Sequence, residues 1–450
     1  MLICSVMRAS RVGSTSQLER LAAYLDRLAQ AAGHADRVVP LQSYTKGLLL
    51  PIERKSVEPM AARLAPGNVR QMHQSLHHIV AEAAWSDAAL LGEVRGQVLP
   101  AVTRQHSLAG WIVDDTGFPK KGKHSVGVTR QYCGQLGKQE NCRVAVSLSV
   151  ATEQASLPVA YQLYLPEGWA EDAARRRETG VPEEVRFQTK PEIALEQIRS
   201  LVAEDVPRAP VLADAAYGND NSFRAGLEEL GLEYAVGVQS STSVWPPGMA
   251  PLPPRARSTT GRPPTLLRRE EQHQPLSVKE LALCLSVTDR RRVSWREGTR
   301  GTMHSRFAAL RVRAAHRDYW RSQPHPEQWL LIEWPKTEKE PTKYWLSNLP
   351  ASIRLRKLVA TAKLRWRIER DYEELKQELG LGHFEGRNWR GFHHHATLCI
   401  AAYGFLVAER CLFSPTHNSS PLRVADIQLR LPRVPRGAKP RGAAAKDRTA

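Results

Sequence analysis

Residues 110–238 constrain the fold of this chain most, because β-prone and helix-periodic runs alternate there at short intervals. Residues 111–113 are apolar and β-prone, and the glycine- and lysine-rich stretch after them reads as a loop. Residues 142–151 alternate Val144, Val146, Leu148 and Val150; with residues 157–165 they predict a hairpin turning at Glu153-Gln-Ala-Ser156. A helix over 191–203, a short buried strand at 210–213, a helix over 219–230 and a strand at 234–238 complete the order β-β-β-α-β-α-β. That order predicts an α/β fold around a sheet of mixed strand direction. Asp114 and Asp115 follow the first strand and Asp214 follows the buried one, where open α/β sheets place their ligand crevices.

The flanking segments differ. Residues 14–107 read as helical: Leu18, Leu21, Leu25 and Leu28 recur at the period of one helix face. Two shorter helices follow at 54–63 and 69–84, around the turn Ala65-Pro-Gly-Asn68. With Arg54, Lys55, Arg63 and Arg70 they suit a DNA-binding helical module, and equally a plain packing domain. Prolines interrupt residues 240–268, and strand-like runs at 292–295, 307–314, 328–334 and 344–346 predict a β-rich insertion at about 240–350. Residues 355–379 and 394–412 read as helices. The expected domains are an uncertain leader at 1–13 with Met7 as an alternative start, a helical N-terminal domain at 14–107, a catalytic domain at 108–412, and a basic, disordered tail at 413–450.

Composition narrows the partners. The net charge is +18 over 450 residues, and from Arg423 onward eight Lys/Arg against two Asp supply only +6 of it. The basic body favours a polyanion, since each neutralised phosphate releases condensed counterions. Six cysteines without a C-x-x-C pair read as reduced thiols of a cytosolic protein. His393, His394 and His395 are consecutive, so on a helix they point to different faces and chelate poorly. No apolar run of membrane-spanning length and no signal peptide is read.

Glu369 lies in the helical stretch 355–379. At 100° per residue Arg365, Glu369, Tyr372 and Lys376 share a sector of roughly 60°, beside an apolar sector of Leu364, Ile368, Leu375 and Leu379. Two strand-end carboxylates and a helical one suit a two-metal site acting on a phosphodiester. Asp114 and Asp115 point to opposite faces of a strand, so only one can enter it. Lys120, Lys121 and Lys123 would form an electropositive rim.

Several long motifs carry a resemblance: Asp114-Asp-Thr-Gly-Phe-Pro-Lys-Lys-Gly-Lys-His-Ser-Val-Gly-Val128, Arg130-Gln-Tyr-Cys-Gly134, Leu212-Ala-Asp-Ala-Ala-Tyr-Gly218, Trp295-Arg-Glu-Gly298, Glu340-Pro-Thr-Lys-Tyr-Trp345 and Arg365-Trp-Arg-Ile-Glu-Arg370. The chain resembles the DDE transposases of bacterial insertion sequences, specifically the insertion-sequence-701-like family within the insertion-sequence-four superfamily. The resemblance implies an RNase H-like catalytic domain in which Asp115, Asp214 and Glu369 hold two Mg2+ ions, with Mn2+ as a substitute. Asp115 is preferred to Asp114 because the superfamily's metal-binding aspartate directly precedes a threonine. Arg365 and Lys376 would hold phosphates, and Trp295 would either stack on a flipped base or, the reading its residue type favours more, pack as a core tryptophan. Ala362 stands where the superfamily pattern has a tyrosine. The implied activity is cleavage at the element's terminal inverted repeats and joining to target DNA, by a homodimer in the synaptic complex, in the bacterial cytoplasm. Two alternatives stay open: an RNase H-like nuclease or resolvase that cuts without joining, and a decayed copy that only binds DNA.

Overall fold

Leu21, Leu25 and Leu28 bury one face of the first helix, α1 (Gln17–Ala31), which Ser16 and Glu19 start with a reciprocal capping box. Helices α2 (Val38–Leu49), α3 (Val57–Leu64), α4 (Val69–Ala81) and α5 (Asp87–Val102) follow. Then come strands β1 (Gly110–Pro119), β2 (Thr129–Cys133), β3 (Lys138–Ala151) and β4 (Ser156–Leu163). Two short helices, α6 (Glu167–Ala170) and α7 (Ala173–Glu178), lead to α8 (Lys190–Ala203). Strand β5 (Val211–Ala213), helices α9 (Ala215–Gly218) and α10 (Asn221–Glu229), and β6 (Tyr234–Val238) come next. The computed structural model describes residues 16–255, 264–298 and 301–413; the expected leader at 1–13 and all but the start of the tail lie outside these.

Sequence periodicity located most of these elements, but β1 differs. It does not stop at Val113: β3 pairs antiparallel with all of it, from Gly110 opposite Ala151 to Pro119 opposite Cys142. Asp114 and Asp115 are therefore inside a strand, held by the ladder, and not at a strand end. Pairing with the long neighbour overrides the low β-propensity of Asp-Asp-Thr-Gly.

The segment beyond β6 adds β7 (Ser243–Trp245), β8 (Leu276–Ser277), helix α11 (Val278–Leu283), β9 (Arg291–Gly298), β10 (Gly301–Ala314), β11 (Glu327–Glu333) and β12 (Lys343–Ser347). β12 pairs directly with β6. The β-rich stretch thus extends the sheet in place, giving the order β2-β3-β1-β5-β6-β12-β11-β10-β7-β8, with β4 also on β3 and β9 also on β10. β1, β5 and β6 are parallel and the other pairings are antiparallel, so the sheet is mixed.

The expected helix at 355–379 is two helices, α12 (Leu355–Lys363) and α13 (Trp366–Gln377). Leu364 and Arg365 form a tight turn whose backbone bonds run i to i+3. No proline or glycine marks it. The two helices pack on different partners, α12 on β9 and β6, α13 on β1 and β4, and the turn accommodates the change.

The last helix, α14 (Trp389–Phe413), starts five residues earlier than its apolar run suggests. By length and composition it could cross a membrane, the one such helix among the described residues. Here it packs against α2, α4, α5 and β4 instead. One apolar cluster runs from Leu25 and Val94 through Leu398 and Phe405 to Val146 and Trp111, so the N-terminal helices share their core with the sheet. The three histidines of α14 serve this packing separately. His393 Nε2 accepts from the Leu163 amide, His394 lies between Asp87 and the Ala83 carbonyl, and His395 lies between the Tyr44 hydroxyl and the Gly380 carbonyl. Burial holds His395 down at about 4, so it is neutral near pH 7.

Candidate active site

Strand alternation decides which aspartate of β1 faces what. Trp111 and Val113 belong to the large core on one side of the sheet, and Ile112 to a second core on the other, with Leu212, Ile368 and Tyr372. Asp114 continues the Ile112 face and Asp115 the Trp111 face. The parallel register pairs Trp111 with Val211 and Ile112 with Leu212. Extended by two residues, it brings Asp114 level with Asp214 on one face.

Contacts agree with this alternation. Asp114 Oδ2 accepts from Arg365 Nη1 at 2.6 Å, and Glu369 Oε1 accepts from Arg365 Nη2 at 2.9 Å. Asp115 faces the other way: its Oδ2 takes the Lys190 ammonium at 2.9 Å and lies 3.4 Å from the Tyr217 hydroxyl. Asp115, the aspartate expected in the site, thus lies on the face opposite Arg365. Asp114 shares a face with Asp214 and Glu369, while Asp115 is neutralised by α8 on the opposite face.

Asp214 follows β5 directly and caps α9, accepting from the Ala216 amide at 2.9 Å. The turn lies close against β6. A Cβ on Gly237 would stand 3.0 Å from the Ala215 nitrogen, and one on Gly218 would strike the Gly237 carbonyl. These two glycines let Asp214 sit beside the sheet.

The electrostatics follow from this crowding. Burial pushes Asp114 up to about 7; Arg365 works against the rise, while Asp214 and Asp115 add to it. Burial also opposes the charge on Arg365, but Asp114, Glu369 and Asp214 together raise it above its ordinary value. One guanidinium thus stands in the field of three carboxylates. Glu369 is the open member, its side chain 61% exposed against 15% for Asp114. Among the described residues no three His, Cys, Asp or Glu side chains are grouped as a ready-made metal nest.

Helix α13 is fixed by polar anchors on its inner side. Asp371 is fully buried and accepts from Ser156 Oγ at 2.6 Å, Ser149 Oγ at 3.0 Å and Tyr403 Oη at 3.0 Å. The Tyr372 hydroxyl bonds Ser147 Oγ at 2.8 Å. Neither anchor was legible in the sequence, since the serines of β3 and β4 sit in ordinary strand alternation. Lys190 was equally silent, half of a helix-start Lys-Pro pair after the Thr189 cap.

The expected phosphate-binding residues divide. Lys121 and Lys123 are exposed, as a rim requires. Lys120 turns inward, its Nζ donating to the Phe384 carbonyl at 2.9 Å; burial first, then nearby Arg143, bring it down to about 8. Lys376 Nζ donates to the Gly117 carbonyl at 2.9 Å, and burial likewise lowers it to about 8. Both tie down the C-terminal end of β1. Trp295 is half-buried, with Phe307 edge-on at 5.6 Å and the Lys363 ammonium 4.7 Å from its ring centroid. Its ring packs against the second core and stays partly exposed. Ala362 is buried in α12 and offers no polar atom to a phosphate.

A family model described as DDE superfamily endonuclease matches residues 27–302, from α1 into β10. The match takes in Asp114, Asp115 and Asp214 and ends before Glu369. A probable transposase for insertion sequence element IS701 from Microchaete diplosiphon is 31% identical over 196 residues, covering 43% of this chain and 47% of that protein. The alignment therefore spans about half the length of that relative.

Proposed function

The chain belongs to the DDE superfamily endonuclease family, and from that membership we propose that it is a DNA transposase of the insertion-sequence-four superfamily. In this reading it cuts the terminal inverted repeats of its own element and joins the freed 3′ ends to target DNA, as a homodimer holding two ends together. The observation that supports the reading is that Asp114 and Glu369, from distant segments, both accept from the Arg365 guanidinium while Asp214 lies in its field. The net charge of +18 supports a nucleic-acid substrate. The parallel β1-β5-β6 core with β3 antiparallel on its edge supports an RNase H-like domain.

The donor set fits a hard divalent cation. Three carboxylates offer oxygen ligands of the kind Mg2+ and Mn2+ take, with no sulfur or imidazole among them. Asp114, Asp214 and Glu369 would hold the ions, and Asp115 would not. Such ions, when bound, polarise the scissile phosphodiester and favour ionisation of the attacking oxygen. The chain's own groups do the rest. Lys121 and Lys123 attract the flanking phosphates, Lys190 keeps Asp115 out of the site, and the Asp371 and Tyr372 bonds keep Glu369 at a fixed height above β1.

The test begins with the DNA around the gene, where inverted repeats are expected on both sides. Duplexes ending in those repeats, pre-cleaved and incubated with the protein and Mg2+, should be joined to a target plasmid. Cutting without joining would favour the resolvase reading.

A further inference from the structure

Arg365 occupies the place where a cation is needed, and it does so with both halves of its guanidinium. Nη1 lies 2.6 Å from Asp114 and Nη2 2.9 Å from Glu369, with Asp214 contributing to the same field. The three acids are consequently held around an internal cation and are not grouped as a metal nest. We propose that Arg365 is a coupling residue: it fills the metal position in the DNA-free protein and vacates it when a DNA phosphate takes over its guanidinium, so that metal loading and DNA binding promote each other. The proposal rests on the reading of Asp114, Asp214 and Glu369 as the metal-binding set.

Three features favour such an exchange. Arg365 sits in the turn between α12 and α13, so its side chain leaves a bend and not the middle of a helix face. One of its two partners, Glu369, is 61% exposed, which leaves that side of the guanidinium open to a phosphate. A phosphate oxygen pair matches the planar fork as well as two carboxylates do. A cation of either kind offsets the repulsion among the three carboxylates: Arg365 supplies it first, and the divalent ion supplies it once the phosphate has drawn Arg365 away. By linkage, whatever factor the DNA adds to metal affinity the metal must add to DNA affinity.

The experiment measures Mn2+ binding by calorimetry on the full chain, with and without a short duplex, for wild type, R365Q, R365K and D214N. Wild type should bind Mn2+ weakly alone and about tenfold or more tightly with duplex, the usual size of a coupling between sites. R365Q should bind Mn2+ tightly without duplex and gain little from it. R365K keeps the charge but cannot bridge both carboxylates, and should fall between the two. The gate is overturned if R365Q binds Mn2+ no more tightly than wild type, or if duplex strengthens Mn2+ binding equally in both. Should R365Q fail to fold, reciprocity in wild type still decides: Mn2+ must tighten duplex binding by the same factor, and a duplex affinity indifferent to Mn2+ overturns the proposal. D214N separates the two levels. If it binds Mn2+ as wild type does, the metal lies elsewhere and the reading of the site itself fails.

Discussion

Asp114 and Asp115 are chemically identical neighbours, and a rotation of one position along β1 separates their roles. One faces Arg365 and Glu369, the other Lys190. Replacing Asp114→Asn should lower DNA cleavage by about a thousandfold, since a lost metal ligand removes several kcal/mol of transition-state stabilisation. Replacing Asp115→Asn should leave cleavage within a few-fold of wild type and cost about 1 kcal/mol of stability, the scale of a partly exposed ion pair. Rates on a labelled duplex and urea titrations of both variants check this pair, and equal loss of cleavage in the two would refute the assignment. The sequence narrowed the first acid to these two positions, and the resemblance favoured Asp115, the one that faces Lys190. Alternation says only that they differ; the side of the sheet to which α13 returns is a long-range fact.

At the scale of elements, α13 carries Glu369 and Asp371 pins the helix. Burial pushes Asp371 up to about 6 in the folded chain, despite three hydroxyl donors that pull the other way. The folded state therefore holds this proton more tightly than the unfolded chain does. The stability it contributes is complete below the ordinary carboxylate pKa of about 4 and is lost as pH rises through about 6. Relative to wild type, D371N should gain on the order of 2–3 kcal/mol between about pH 4 and 7, because Asn has no charge to desolvate. Urea unfolding of both proteins across that range measures the difference, and parallel pH profiles would rule the effect out. Elements with local signals were legible in the sequence: β6 appears at its expected bounds, and α8 and β5 within a residue. Two features were not. The Leu364–Arg365 turn has no breaker residue, and β1 runs on through a polar stretch. Both are imposed by partners far away in sequence, β9 for α12 and β3 for β1.

At the scale of the whole molecule, the apolar composition of α14 is explained by what surrounds it. Helices α2, α4 and α5 cover one side and β4 another, so almost no face remains for water. The helical residues that look detachable in sequence are half of a shared core. A chain beginning at residue 108 should accordingly fail to fold, leaving α14 exposed, and gel filtration with circular dichroism should find aggregate or loss of cooperative melting. A soluble, cooperatively melting truncation would contradict the shared core. The same arrangement sets a clock on synthesis. α5 ends at residue 102 and α14 begins at residue 389, so 286 residues intervene between them. At ribosomal speeds that is roughly 15–60 s during which the first five helices wait for the segment that completes them. Throughout that interval Val94 and Val98 lack the α14 face they pack on around Gly404, which makes the nascent chain a client for chaperones and places completion of its core near the end of translation.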